Sequence, residues 1–354
     1  MSELALYRKY RPKGFIDVRG QDEIVSVLLR SIKDTSISHA YLFSGGRGTG
    51  KTSIARIFAA EIGCKPADLY EIDGASNRTI DDVRELREGV KTMPFESPYK
   101  VYIIDEVHML TKEAFNALLK TLEEPPLHVI FILATTDREK LPETIVSRCQ
   151  SFSFKQPQLS ELKQYAIDIA KEEKVKLDGP SADIVAMFGD GSYRDTLSVL
   201  EKVLISSKEG KIDVDTVARV VGAPTHDLVN RVIRAIDEGN PEDGLSALKK
   251  ANEEHIDMKV YLKMLLAKLR AVLLLRYAPT MEPDLMQEFP PDDMQFIKTL
   301  ALSKEKRINS HVLTEFLSTS SSIGWSAISS LPLEITLIKL VGEKVDDKEK
   351  KTDK

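Results

Sequence analysis

One segment restricts the fold of this chain more than any other. Residues 45–52 read Gly-Gly-Arg-Gly-Thr-Gly-Lys-Thr, which matches the phosphate-loop pattern G-x-x-x-x-G-K-[ST] in full. The segment follows the apolar run Tyr41-Leu42-Phe43 and precedes a helical stretch from Ser53 to Ile62. Glycines let such a loop wrap closely, so that its backbone N–H groups and the helix N-terminus cradle phosphate oxygens. The sequence therefore predicts a nucleotide-binding α/β fold.

The side chains of this loop have expected roles. We expect Lys51 to reach the β- and γ-phosphates of the nucleotide and the hydroxyl of Thr52 to ligate Mg²⁺. The alternative is a glycine-rich turn that carries a lysine by chance, and the strand and helix on either side disfavour it. The other residues expected to contact the nucleotide at this loop are Gly45, Gly46, Arg47, Gly48, Thr49, Gly50 and Ser53.

A second motif supports the first. The run Lys100-Val-Tyr-Ile-Ile-Asp105-Glu106 is an apolar strand candidate that ends in two carboxylates. In phosphate-loop ATPases an acid in that place holds Mg²⁺ through water, and its neighbour can polarise the attacking water. We assign Asp105 to the metal and Glu106 to the general base. Such a pair is otherwise commonly a solvated strand end, but its position downstream of a phosphate loop favours the catalytic role.

The alternation of secondary structure changes along the chain. Up to residue 157, apolar strand candidates alternate with helical stretches, which predicts a parallel sheet with helices on both faces. Beyond Pro157 the apolar residues recur at helical spacing, and Gly222-Ala-Pro224 marks a boundary between helices. We predict a nucleotide-binding core at 1–157, a helical lid at 158–222, a helical C-terminal domain at 223–342 and a disordered tail at 343–354. The expected helices of the C-terminal domain include Met258 to Tyr277 and Ser310 to roughly Ile323.

Composition excludes several classes of protein. A formal net charge of −5 over 354 residues fits neither a disordered polyelectrolyte nor a strongly basic nucleic-acid coat. Any nucleic-acid contact must therefore be a local patch. The longest apolar run, Val129 to Ala134, is too short to cross a membrane, and Glu3 and Arg8 interrupt any signal-like start. We expect a soluble, cytoplasmic protein without a membrane partner.

Further motifs occur in the order found in one protein family. They are the phosphate loop, Asp105 to His108, Asn116 to Pro126, Ala134 to Asp137, Ser147-Arg-Cys149, and the opening Tyr7 to Pro12 with Gly20-Gln21. On these residues the chain resembles the clamp-loader AAA+ ATPases. The run Leu122-Glu-Glu-Pro-Pro126 is similar to the gamma/tau subgroup of the bacterial DNA polymerase III clamp loader. The resemblance is strong over residues 4–200 and continuous but weaker beyond, and the chain length fits the short gamma form.

The resemblance implies roles for three more site residues. Thr136 would be the first sensor, whose hydroxyl contacts the γ-phosphate or positions water. Arg148 would be the arginine finger, which neutralises transition-state charge on the nucleotide of a neighbouring subunit. Arg194 would be the second sensor, contacting the nucleotide of its own subunit. A surface ion pair is the alternative for each arginine. The candidates for closing over the adenine are Tyr7, Pro12 and Val18.

The resemblance also implies a function. The expected protein is an ATP- and Mg²⁺-dependent ATPase without a polymerase active site. Its C-terminal domain would form the collar of a pentameric hetero-oligomeric ring with other clamp-loader subunits. ATP binding would hold this ring competent to open a sliding clamp and grip primer-template DNA, and hydrolysis would release the clamp.

Three alternative functions stay open. The chain could be a clamp-loader arm that binds nucleotide without turnover, a small subunit of an archaeal or eukaryotic clamp loader, or an unrelated AAA+ remodelling ATPase such as a branch-migration motor. The first is disfavoured by the intact set of Lys51, Thr52, Asp105 and Glu106. Leu122 to Pro126 with Thr135-Thr136 disfavours the second, and the Ser-Arg-Cys match disfavours the third.

The chain departs from this family in its cysteines. Family members commonly carry a four-cysteine zinc-binding insertion after the phosphate-loop helix, but here Cys64 alone stands in that region, so we predict no zinc.

Basic residues on one predicted helix could meet a DNA backbone, although interleaved acids could equally pair with them on a solvated face. These DNA candidates are Arg78, Arg84, Arg87 and Lys91.

Overall fold

The structure, a computed structural model, describes residues 5–76, 86, 88–206, 211–212 and 214–342. These residues form two compact units. The first runs to Tyr165 and includes Gly189–Glu201, and the second comprises Ala166–Phe188 and the chain from Lys202 onward. The domain boundaries at residues 157 and 222 stay predictions.

The first unit is built on a parallel sheet. Within the described residues its five strands lie in the order β2-β3-β4-β1-β5, and each neighbouring pair is parallel. Strand β4 therefore lies between β1 and β3, and the carboxyl ends of these three strands meet at one edge. The strands are β1 (Ala40–Gly45), β2 (Leu69–Asp73), β3 (Lys100–Asp105), β4 (Val129–Thr135) and β5 (Gln150–Phe154).

Helices cover both faces of this sheet. Alternate residues of β1 enter different cores: Tyr41 and Phe43 pack in one hydrophobic cluster and Leu42 in another, because successive strand residues point to opposite faces. The predicted α/β fold with a parallel sheet and helices on both faces is confirmed. Among the described residues, the helices of this unit include Leu6–Lys9, Asp22–Lys33, Lys51–Glu61, Lys112–Glu123 and Glu143–Val146, with parts of Leu159–Glu172 and Tyr193–Ser206.

The second unit is mainly helical, as predicted for the chain after Pro157. A hydrophobic core surrounds the helix Met258–Tyr277, whose ends agree with the prediction. A short parallel pair joins Lys176–Leu177 to Lys211–Ile212. Among the described helices, none combines the length and apolar character needed to cross a membrane. The other helices are Gly179–Phe188, Val214–Val221, His226–Glu238, Pro241–Glu253, Glu282–Glu288, Pro291–Ala301, Ser310–Thr319 and Leu331–Leu337, and a π-helical turn follows at Ile338–Gly342.

One buried carboxylate fixes the segment that leads into β3. Asp68 is fully buried and accepts hydrogen bonds from the backbone N–H groups of Phe95, Glu96 and Ser97. Burial opposes ionisation of this carboxyl group, but the hydrogen bonds to Glu96, Phe95 and Ser97 outweigh it and lower the pKa of Asp68 to about 2. The ionised carboxylate therefore ties residues 95–97 to the turn before β2.

We expect Asp68→Ala to lower the free energy of unfolding by about 2–4 kcal/mol, because three backbone N–H groups lose a charged acceptor that is buried in the fold. Since the folded pKa lies below the unfolded pKa near 4, the stabilisation is present above about pH 4 and is lost as the pH falls toward about 2. Urea unfolding at pH 7 and at pH 3 measures both effects. The exposed Asp34 provides the control, and an equal loss in Asp34→Ala would contradict the account.

Candidate nucleotide-binding site

The candidate site lies where β1, β4 and β3 end. These strands finish at Gly45, Thr135 and Asp105. Because β4 is inserted between β1 and β3, the residue that follows it, Thr136, emerges between the phosphate loop and the acidic pair. The strand order thus brings together three motifs that are far apart in the sequence.

Close packing requires glycine at two positions of the loop. Gly45 has a φ of +148°, and a Cβ there would lie 2.6 Å from the carbonyl oxygen of Phe154. Gly48 has a φ of +68°, and a Cβ there would lie 1.8 Å from the hydroxyl oxygen of Ser192. The helix Lys51–Glu61 begins directly after the loop, so its N-terminal N–H groups open onto the loop. This backbone arrangement suits a phosphate.

Lys51 is buried, and its partners in the loop are neutral. Its Nζ donates to the carbonyl oxygens of Gly45 at 2.8 Å and Gly46 at 2.7 Å. Burial lowers the pKa of Lys51, whereas the carboxylates of Glu106 and Asp105 oppose that shift. A desolvated ammonium group held by carbonyl oxygens at a helix N-terminus can exchange these partners for the stronger acceptors of a triphosphate. The residues present therefore fit the binding of a nucleoside triphosphate.

Thr52 and Asp105 form a second contact at this edge. The Thr52 hydroxyl donates to Oδ2 of Asp105 at 2.7 Å. Mg²⁺ is usually bound by one or two protein oxygens together with substrate phosphates and water, so this pair fits a nucleotide-dependent magnesium site. Across the described parts of the chain, no group of three or more His, Cys, Asp or Glu side chains is placed to hold a metal ion.

Glu106 occupies a strained backbone position. Its φ is 46°, in the left-handed region, which costs a non-glycine residue about 1 kcal/mol. Its Oε2 accepts hydrogen bonds from the hydroxyl of Thr136 at 2.9 Å and from the N–H of Thr136 at 3.3 Å. The predicted general base and the predicted first sensor are therefore in direct contact. The catalytic role of each stays a prediction.

Sequence reasoning missed two residues beside this site. Nδ1 of His108 lies 3.4 Å from Oε2 of Glu106 and 2.9 Å from the hydroxyl of Thr135, so it borders the predicted base. Arg11 is half-buried, and its Nε donates to the hydroxyl of Ser53 at 3.1 Å. Burial lowers the pKa of Arg11. Both residues lie inside motifs that carried the resemblance, but a single charged residue has no periodicity from which its position could be inferred.

The opening segment meets the predicted second sensor. The guanidinium carbon of Arg194 lies 5.0 Å from the centre of the Tyr7 ring, a cation–π distance. Pro12 is half-buried, and Val18 packs against the hydrophobic cluster that contains Tyr41. Arg47 is exposed and lies 3.9 Å from the carboxylate of Asp195. The structure thus brings Tyr7 and Arg194 together, and the adenine-binding roles stay predictions.

Arg148 is held by its own chain. Its Nη2 donates to Oε1 of Glu123 at 2.8 Å, and its Nη1 donates to the carbonyl oxygen of Thr144 at 2.8 Å. The next residue, Cys149, packs against the core cluster beneath, and burial raises the pKa of its thiol to about 12. Cys64 is buried, and burial likewise raises the pKa of its thiol. Both thiols are therefore un-ionised at neutral pH.

Most of the residues predicted to contact DNA lie outside the part of the chain that the structure describes. Arg78, Arg84 and Arg87 lie outside the described residues, as does the tail at 343–354. Lys91 is exposed, and its Nζ lies 2.9 Å from Oε1 of Glu88. For Lys91 the ion-pair alternative is thus present in the structure, and DNA contact stays a prediction.

Comparison with protein families and known sequences gives consistent results. A family model described as DNA polymerase III, delta subunit, matches residues 20–78 and 66–158. The chain is 40% identical over 303 residues to DNA polymerase III subunit tau of Bacillus subtilis, which covers 80% of this chain and 54% of that protein. It is 34% identical over 339 residues to subunit tau of Escherichia coli, covering 86% of this chain and 53% of that protein. The chain spans about half the length of these tau subunits.

A shorter relative and a solved structure extend these likenesses. The chain is 34% identical over 298 residues to DNA polymerase III subunit gamma of Buchnera aphidicola, covering 78% of this chain and 80% of that protein. Its fold is similar to the RuvB Holliday junction branch migration motor of Thermotoga maritima, with a TM-score of 0.52, 20% identity, and coverage of 65% of this chain and 80% of that one. At that identity the structural likeness concerns the fold alone.

Proposed function

The chain belongs to the family of DNA polymerase III gamma and tau subunits, and we propose that it binds and hydrolyses ATP as a subunit of a clamp loader. One observation carries the proposal. A single sheet edge collects the buried Lys51, the Thr52–Asp105 pair and the Glu106–Thr136 pair. This set contains a phosphate-binding cation, magnesium-binding oxygens and a positioned carboxylate, the parts that phosphoryl transfer to water needs.

The contacts suggest a role for each residue. Lys51 would bind the β- and γ-phosphate oxygens, and Thr52 with Asp105 would hold Mg²⁺, which supplies charge neutralisation when bound. Thr136 fixes Oε2 of Glu106, which orients the carboxylate whose Oε1 would accept a proton from the attacking water. Arg194 and Tyr7 would close over the nucleotide from the side of residues 189–201. Catalysis would come mainly from positioning and charge neutralisation.

Two alternatives fit these observations less well. In an arm that binds nucleotide without turnover, nothing would require Glu106 to stay in a strained conformation bonded to Thr136. The relatives are bacterial DNA polymerase III subunits, which favours a bacterial clamp loader over an archaeal or eukaryotic one. The likeness to a branch-migration motor concerns the fold and carries no function.

The proposed partners are the other clamp-loader subunits, the sliding clamp and primer-template DNA. Arg148 would act on the nucleotide bound by a neighbouring subunit, so the isolated chain should hydrolyse ATP slowly. The helical C-terminal region would supply the collar of a hetero-oligomeric ring.

Clamp transfer tests this function. The chain is assembled with the other loader subunits, and retention of a labelled sliding clamp on circular primed DNA is measured with and without ATP. We expect retention with the wild-type chain and ATP, and its loss in Lys51→Ala because the phosphates lose their buried cation. The exposed Lys140→Ala serves as control. Equal retention without ATP, or with Lys51→Ala, would contradict the proposal.

A further inference from the structure

Glu123 contacts the residue that would act in trans. Oε1 of Glu123 accepts a hydrogen bond from Nη2 of Arg148 at 2.8 Å, and the carbonyl of Thr144 accepts one from Nη1, also at 2.8 Å. We propose that Glu123 is a positioning residue for Arg148, fixing its guanidinium in the orientation that meets a nucleotide bound by a neighbouring chain. This inference rests on the proposed function, specifically on the action of Arg148 in trans.

Both anchors of the guanidinium belong to rigid elements. Glu123 is the last residue of the helix Lys112–Glu123, and Thr144 lies in the helix Glu143–Val146. Both helices are fixed to one hydrophobic cluster, which includes Leu118 and Leu122 from the first helix and Ile145 and Val146 from the second. The two hydrogen bonds therefore join the flexible arginine side chain to two helices that pack into the same hydrophobic cluster.

The position of Glu123 is electrostatically unfavourable in its own helix. A carboxylate at a helix C-terminus faces the negative end of the helix dipole, where a cation is preferred. After Glu124, Pro125 and Pro126 prevent the helix from continuing, so Glu123 is confined to this end. The guanidinium of Arg148 offsets this unfavourable charge, and in return the helix end determines where the guanidinium lies.

The ion pair between Arg148 and Glu123 is too exposed to water to add much to the stability of the fold. The side chains of Arg148 and Glu123 are 35% and 49% exposed, and ion pairs this accessible to water add little to the free energy of folding. Their bond instead removes rotational freedom from a long side chain before a neighbour arrives. A planar guanidinium bonded through Nη1 and Nη2 has a fixed plane, which fixes the direction of its remaining N–H donors.

The opposite effect would follow if Glu123 withheld Arg148 from the phosphate. Its removal would then raise the turnover rate, because a competing acceptor would be gone. The second hydrogen bond, from Nη1 of Arg148 to the carbonyl of Thr144, favours a positioning role over a withholding one. This bond sets the orientation of the guanidinium, and its acceptor carries no charge. The two effects differ in the sign of the change in kcat.

Measurement of kcat and KM for ATP in the assembled clamp loader would test the inference. Glu123→Ala should lower kcat about tenfold, since a misplaced catalytic group loses rate, while KM stays unchanged because each chain's own loop binds the nucleotide. Glu123→Gln keeps an acceptor oxygen for Nη2 and should lose less. The adjacent, exposed Glu124→Ala removes the same charge from the same helix end and should leave kcat unchanged.

A double variant separates positioning from a general structural role. Glu123→Ala combined with Arg148→Ala should be no slower than Arg148→Ala alone, because Glu123 acts through Arg148. Wild-type or higher kcat in Glu123→Ala, with a large loss in Arg148→Ala, would overturn this inference and leave the proposed function intact. Unchanged turnover in Arg148→Ala would overturn the role in trans and this inference with it. Additive losses in the double variant would also overturn the inference.

Discussion

Glu106→Gln should nearly abolish ATP turnover by the assembled complex while leaving ATP binding intact. The amide cannot accept a proton from water, and general-base catalysis contributes about 10²–10⁴-fold to rate, so kcat should fall by about that factor. The substitution preserves the shape of the side chain and an acceptor for the Thr136 hydroxyl, whose oxygen lies 2.9 Å from Oε2 of Glu106. Nucleotide affinity should change little because the phosphate contacts come from the loop and Lys51.

Phosphate release and nucleotide affinity are measured on the same preparation. The exposed Glu139 follows the end of β4, and Glu139→Gln makes the same chemical change without touching Thr136. We expect this control to turn over ATP at the wild-type rate. Turnover by Glu106→Gln within a few-fold of wild type would show that another group accepts the proton.

Arg148→Ala should lower kcat in the assembled complex by about 10³-fold or more, the range for removal of an arginine finger. The low basal rate of the isolated chain should not change, because the guanidinium is bonded to Glu123 and Thr144 of its own chain. Arg148→Lys should restore little activity, since an ammonium group lacks the planar fork that matches phosphate oxygens. Steady-state rates for the isolated chain and for the complex separate these effects.

Arg138→Ala is the matched control for this substitution. Arg138 is an exposed arginine in the turn after β4, and its removal subtracts the same charge from the same unit. We expect wild-type turnover in the complex. If Arg148→Ala lowered the rates of the isolated chain and the complex by the same factor, a role in trans would be excluded.

The phosphate loop and the acidic pair were predictable because local sequence determines local backbone. Glycines at 45 and 48 occupy conformations or spaces closed to other residues, and β3 ends at Asp105 as its apolar run predicts. The insertion of β4 between β1 and β3 was not predictable from pattern, since apolar runs identify strands but not their neighbours. That insertion is what places Thr136 beside Glu106.

The contacts that single polar residues make with each other could not be predicted from the sequence either. His108, Arg11 and Glu123 lie in motifs that supported the resemblance, yet their partners are 27, 42 and 25 residues away. Neither periodicity nor spacing encodes such pairs. They follow from strand order and helix packing, which the structure supplies.

Helix ends in the second unit show the same limit. The helix starting at Ser310 has the side chain of Asn309 as its N-cap, but it ends at Thr319 where apolar spacing predicts continuation to about Ile323. The hydroxyls of Ser318 and Ser321 bond to backbone carbonyls of Glu315 and Ser318. Serine side chains compete for backbone groups in this way, so apolar spacing overestimates the helix.

A mixing experiment tests most directly whether ATP is hydrolysed at sites built from two chains. Glu106→Gln chains keep Arg148, and Arg148→Ala chains keep Glu106, so complexes assembled from either variant alone should be nearly inactive. When both variants are assembled together with the other loader subunits, some junctions pair an intact Glu106 with an intact Arg148 from the neighbour. ATP turnover should then rise well above the average of the two separate complexes. Turnover equal to that average, in complexes shown to contain both variants, would contradict it.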